Sequence, residues 1–189
     1  MLAKYRPVGQ LLFAVGGAAL VYFFAQAALE GHRKEKTGAL EALQPAYEGD
    51  DRLAPDFQLQ DKNGKTFRLK SFRGKVVVLN FWTITCGPCV EEMPSIEDMA
   101  RIFEGDDDVV VLTISADQDW RTVRRIFPDG EPVMPVLFDP DRAIINGKYG
   151  TRLFPETWII DRQGIIRARF DGARDWSTGL AVSYVRSLT

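Results

Sequence analysis

Histidine and cysteine are scarce in this chain of 189 residues, which has one histidine, His32, and two cysteines, Cys86 and Cys89. A secreted domain stapled by several disulfides would spread more cysteines along its length, so that class is excluded. A four-ligand zinc site cannot be assembled from one histidine and one cysteine pair. An excess of one charge is lacking too: 24 Lys and Arg stand against 26 Asp and Glu, and beyond residue 50 the counts are 19 and 21. No basic stripe offers a surface for nucleic acid. No glycine-rich phosphate loop, internal repeat or low-complexity tract is present.

One long apolar run is there. Val8 to Leu29 covers 22 residues without a charged side chain. At about 1.5 Å rise per residue it is long enough to cross a hydrocarbon core of about 30 Å. Lys4 and Arg6 precede it and Arg33, Lys34 and Lys36 follow, so flanking charge does not choose an orientation. Two readings stay open: an uncleaved signal anchor over residues 1–30, or a cleaved signal peptide ending near Ala25-Gln26-Ala27. Either sends the rest of the chain out of the cytoplasm. Residues 31–52 read as a linker with a short helical piece at 37–43, and the folded domain is expected over 53–189.

In that domain, Asp56 to Leu69 reads as a hairpin turning at Asp61-Lys62-Asn63-Gly64-Lys65. Val76-Val77-Val78-Leu79 and Val109 to Ile114 are β-branched runs of the kind buried on both faces. Helices are expected over Pro88 to Phe103, Asp119 to Phe127, Arg142 to Tyr149 and Ser177 to Leu188. A short strand is expected over Val133 to Phe138, and a hairpin pairs Thr157 to Asp161 with Ile165 to Phe170. The alternation points to an α/β domain with a mixed sheet.

The two cysteines stand at i and i+3 in Cys86-Gly87-Pro88-Cys89, after a buried strand and at the start of a helix. One helical turn brings such residues within disulfide range. The free N–H groups and positive partial charge of the helix N-terminus favour a thiolate at Cys86. Pro88 suits the first turn, where its missing N–H costs nothing. Cys86 is therefore the attacking thiol, and Cys89, one turn deeper, resolves the mixed disulfide.

The sequence resembles the membrane-anchored thioredoxin-like proteins of the TlpA/ResA/CcmG type. The residues that carry the likeness are Ala54-Pro55-Asp56-Phe57, Asp61-Lys62-Asn63-Gly64-Lys65, Gly74 to Trp82, Glu91-Glu92-Met93-Pro94 and Phe154 to Asp161. The resemblance implies a thioredoxin-like fold, with a central mixed sheet flanked by helices, an N-terminal β-hairpin extension and an N-terminal transmembrane helix. It implies a cis proline at Pro155 facing the cysteine pair, with the Phe154 backbone pairing an extended substrate segment. Glu156 is a candidate proton acceptor near Cys89, with a solvated surface role as the other reading. Asn80 stands where cytoplasmic thioredoxins carry a buried acid, so another group or water must relay the proton. Trp82 packs beside the site.

Thr85 departs from the tryptophan usual in that family, which alters the surface around Cys86. Gly87-Pro88 is the thioredoxin pair and points to a reducing centre, nearer the roughly −270 mV of thioredoxin than the roughly −120 mV of a strong oxidase. The implied activity is reduction of extracytoplasmic protein disulfides, with apocytochrome c cysteines as one substrate class and a membrane thiol-reductant donor as electron source. No cofactor beyond the cysteine pair is expected, and a monomeric soluble domain is the default. Two other readings stay open. A peroxiredoxin-like peroxidase is suggested by Thr83, three before Cys86, although Leu79 stands where that motif has proline. A metallochaperone or binding module would want a histidine that the folded domain lacks.

Overall fold

The apolar run Val76-Val77-Val78-Leu79 builds the middle of the sheet in this computed structural model, which describes residues 6–48, 52–127 and 131–189. Strand β4 (Val76–Trp82) is buried along its whole length. A six-stranded sheet forms around it in the order β1 (Tyr47–Glu48), β8 (Ile166–Asp171), β7 (Glu156–Ile160), β4, β5 (Val109–Ser115), β6 (Val136–Phe138). β5 lies parallel to β4, and β6 parallel to β5. On the other side β7 and β8 form an antiparallel hairpin against β4. β2 (Gln58–Gln60) and β3 (Thr66–Arg68) make the separate N-terminal hairpin. The fold is the thioredoxin-like α/β fold, with a mixed sheet and helices packed on it.

Strand alternation sends side chains to two apolar layers. Val76, Val78, Ile159 and Ala168 face a layer completed by α2 (Gly87–Ile102) and α4 (Gly179–Arg186), through Met93, Ile96, Tyr184 and Val185. Val77, Leu79, Phe81, Trp158 and Ile160 face the opposite layer with Phe57, Ile145 and Tyr149. The sheet is therefore covered on both sides, as its parallel strands require.

Several elements differ from expectation. The helix expected over Asp119 to Phe127 is a short α3 (Trp120–Val123) running into a 3-10 turn at Arg124–Ile126. The strand expected from Val133 begins only at Val136, because Pro135 has no N–H to give the ladder and contributes only its carbonyl, to Thr113 N. The helix expected over Arg142 to Tyr149 is a series of turns: Arg142 sits at φ 58, and its carbonyl accepts from both Asn146 N and Gly147 N. The sheet also reaches further upstream than a start near Leu53. β1 (Tyr47–Glu48), unannounced by any apolar alternation, pairs with β8.

The chain divides into two compact units, residues 1–38 and 39–189. Helix α1 (Arg6–Leu43) continues into the stretch read as linker and takes in its short helical piece at 37–43. Among the described residues no helix is long and apolar enough to cross a membrane. Side chains of the expected anchor are described only from residue 17 onward. Within it Leu20, Val21, Tyr22, Phe23, Phe24 and Leu29 are all exposed.

Candidate active site

The cysteine pair lies where β4 hands over to α2. Cys86 caps α2 in an extended conformation, and Gly87 and Pro88 open the first turn. The two sulfurs are joined in a disulfide, with the Cα atoms 5.3 Å apart. Cys86 is half-buried, whereas Cys89 is only 1% exposed. The Cys86 sulfur accepts a hydrogen bond from the Cys89 backbone N–H at 3.2 Å. In the reduced protein that donor and the helix N-terminus favour negative charge on Cys86 rather than on Cys89.

The loop before Cys86 is held by Asp117 at the end of β5. One carboxylate oxygen accepts from Thr83 Oγ1 at 3.0 Å; the other accepts from Ile84 N at 2.8 Å and Ser115 Oγ at 2.7 Å. Thr83 has spent its proton on Asp117, so the 3.4 Å contact between Thr83 Oγ1 and Thr85 Oγ1 needs Thr85 as donor. Exposed Thr85 is thereby tied back to the sheet instead of offering the flat indole its position carries in the resembling family. Trp82 is fully buried and meets Phe127 edge to face, with ring centroids 6.2 Å apart.

Phe154 and Pro155 arrive from the neighbouring strand, and the peptide bond between them is cis. Glu156 pairs with Phe81 in the β4–β7 ladder. Continuing that antiparallel register by one residue sets Pro155 opposite Trp82, at the sheet end that carries Cys86. Phe154 is half-buried and Leu153 is 82% exposed.

Glu156 on β7 and Glu92 on α2 are buried acids on opposite faces of the sheet. Glu156 is opposite Phe81, so its side chain joins the face of Phe81 and Trp158, away from α2. It accepts a hydrogen bond from Thr151 Oγ1, and burial pushes its carboxyl above the usual range. Glu156 is thus neither solvated nor on the Cys89 side. Glu92 is on that side, one helical turn past Cys89 on α2 and only 4% exposed. Trp176 Nε1 and Arg174 N, the latter at 3.3 Å, donate to one of its oxygens, and Asn80 Nδ2 donates to the other at 3.4 Å. Desolvation outweighs these donors and lifts its pKa from 4.5 to about 7. Asn80 Nδ2 also donates to Thr157 Oγ1 at 2.9 Å, while its own Oδ1 is buried without a partner.

Glu92 escaped the sequence reading as a functional residue. In the sequence it stands only as one residue of the motif Glu91-Glu92-Met93-Pro94. The available signal was its spacing: i+3 from a buried cysteine puts it on the buried face of the helix. Among the described residues no group of three or more His, Cys, Asp or Glu side chains is arranged to hold a metal ion.

The sequence profile of the AhpC/TSA family matches residues 51–169. Thioredoxin-like protein YneN of Bacillus subtilis is 34% identical over 115 residues, 60% of this chain and 66% of that protein. Thiol-disulfide oxidoreductase ResA of Geobacillus thermodenitrificans is 32% identical over 119 residues, 63% of this chain and 67% of ResA. The matches thus span about two thirds of the length of these curated relatives. Among solved structures, the exposed lipoprotein thioredoxin of Streptococcus pneumoniae superposes with a TM-score of 0.59 at 28% identity, covering 71% of this chain and all of that one.

Proposed function

The chain belongs to the AhpC/TSA family and is a thiol–disulfide oxidoreductase; on that premise we propose that it works as a reductase of protein disulfides outside the cytoplasm. The observation that carries the reading is the asymmetry of the pair: an accessible Cys86 at a helix N-terminus above a sealed Cys89.

In the proposed cycle the Cys86 thiolate attacks a client disulfide while the client segment lies along Phe154-Pro155. One client sulfur leaves as a thiol and a mixed disulfide forms. Cys89 then attacks the Cys86 sulfur, and the second client sulfur departs. Two electrons pass to the client, and the Cys86–Cys89 disulfide of this structure is the product. Cys89 must lose a proton first. Glu92, on the same buried face with a pKa of about 7, is suited to accept it near neutral pH. Asn80, its hydrogen-bond partner, orients it.

The extracytoplasmic setting is supported by the apolar run from Val8 to Leu29, by the exposed side chains of Leu20 to Phe24 within it, and by the likeness to the exposed lipoprotein thioredoxin of Streptococcus pneumoniae. In this reading residues 8–29 anchor the protein, a membrane donor of thiol-reductant type recharges it, and oxidised cysteine pairs of apocytochrome c are one client class. The peroxidase reading is weakened by Thr83, whose hydroxyl is engaged by Asp117 rather than left for a peroxide at Cys86.

The test is turnover of insulin disulfides by the full chain in detergent, with dithiothreitol as reductant and peroxide consumption measured in parallel. Disulfide reduction well above the reductant alone supports the reading. Peroxide consumption without disulfide reduction overturns it.

A further inference from the structure

Arg142 is the residue of this sheet end whose placement nothing so far explains. It occupies the left-handed region at φ 58, which a side chain with a Cβ enters only at a cost. Its turn is fixed from below: Arg142 N donates to Asp139 O at 2.9 Å, and the buried Asp139 carboxylate accepts from Ile144 N at 3.0 Å and Ile145 N at 2.8 Å. From this turn the exposed guanidinium reaches over Phe154, its central carbon 5.5 Å from the ring centroid. Among the described residues it makes no ion pair and no side-chain hydrogen bond.

A guanidinium held over an aromatic ring only by a cation–π contact keeps N–H groups available for an anion. Here the ring belongs to the residue along which the proposed client segment runs. Beside it Leu153, 82% exposed, is an apolar side chain with no packing to explain it. A rigid turn therefore presents an unpaired guanidinium and an exposed leucyl side chain next to Phe154-Pro155.

We infer that Arg142 is a specificity determinant for client segments that carry a carboxylate side chain close to the disulfide cysteine. The inference rests on the disulfide-reductase reading and adds a substrate class to it. The client carboxylate lies against the guanidinium edge, an apolar neighbour covers Leu153, and Cys86 meets the cystine. The contact acts on binding and not on the exchange step, so it belongs in KM. For one exposed charge pair a change of about threefold is expected, diminishing with added salt.

The experiment uses the reduced full chain in detergent and two peptides, each closed by one cystine, identical except for Glu or Lys two positions before the first cysteine. Single-turnover loss of protein thiols against peptide concentration gives KM and the limiting rate. The parent is expected to favour the Glu peptide through KM. Arg142→Ala removes the preference, Arg142→Glu reverses it, and Arg142→Lys restores part of it, with limiting rates within about twofold. Arg125→Ala, an exposed arginine on the 3-10 turn, controls for net charge and keeps the preference. A parent that does not distinguish the peptides, or an Arg142→Ala variant that still does, overturns the inference and leaves the reductase reading standing. A parent that reduces neither peptide overturns both.

Discussion

Asn80 on β4 donates a hydrogen bond to Glu92 on α2 across the buried face of the sheet, Nδ2 to Oε2 at 3.4 Å. The position where a cytoplasmic thioredoxin carries a buried acid thus holds an amide, and a buried carboxyl meets it from the facing helix. On the Cys89 side of the pair the buried acid Glu92 sits beyond the cysteine rather than on the central strand.

If Glu92 accepts the Cys89 proton, Glu92→Gln slows resolution of the mixed disulfide by about a hundredfold and removes an inflection near its pKa of about 7 from the pH–rate profile. Rapid-quench measurement of the mixed disulfide across pH 5 to about 9 checks this. Glu156→Gln, on the other face, leaves that inflection in place.

Glu92 also makes stability depend on pH. Its folded pKa of about 7 lies above 4.5, so between those values the folded state holds a proton that the unfolded chain has released. Stability therefore falls as pH rises from 4.5 toward about 7, and the full advantage is present only below 4.5. At about 1.4 kcal/mol per unit the fall is on the order of 3 kcal/mol. Denaturant unfolding at pH 4.5 and 7.5 is expected to show this slope in the parent and a flatter one in Glu92→Gln. The amide would have a ready partner, because Asn80 can turn its unpaired Oδ1 toward it.

Loss of Asp117 should unfasten the loop before Cys86. Asp117→Ala strands the hydroxyls of Thr83 and Ser115 and the N–H of Ile84. A loss of about 2 kcal/mol is expected by denaturant unfolding. Thr85→Val, which cuts only the outermost link, is expected to cost less than about 0.5 kcal/mol, because Thr85 is exposed.

The asymmetric burial of the two sulfurs predicts an asymmetric trap. Cys89→Ser, mixed with an oxidised client, accumulates a disulfide-linked adduct through Cys86. Cys86→Ser accumulates none, because Cys89 is sealed from solvent. Non-reducing electrophoresis reads both outcomes.

Much of the fold was legible because its central strands are continuous β-branched runs, bounded by Gly74 and by the Cys-Gly-Pro-Cys turn. β1 was not legible, since two residues paired to an edge leave no periodicity. The helix expected over Arg142 to Tyr149 gives way to turns, because the Asp139 carboxylate caps the segment from below. At the site, Cys86 and Cys89 were visible as local chemistry, and Pro155 only through the family resemblance. Glu156 could not be placed from sequence, because the β4–β7 register decides which face of the sheet it joins, whereas the spacing of Glu92 from Cys89 already set its helix face.

The most direct test of the central claim is the reduction potential of the Cys86–Cys89 pair, measured by equilibrating the full chain in detergent with dithiothreitol or glutathione buffers. A reductase with this Gly-Pro centre is predicted to lie near roughly −270 mV. A value near roughly −120 mV would contradict the account and make the protein a disulfide donor on the same fold.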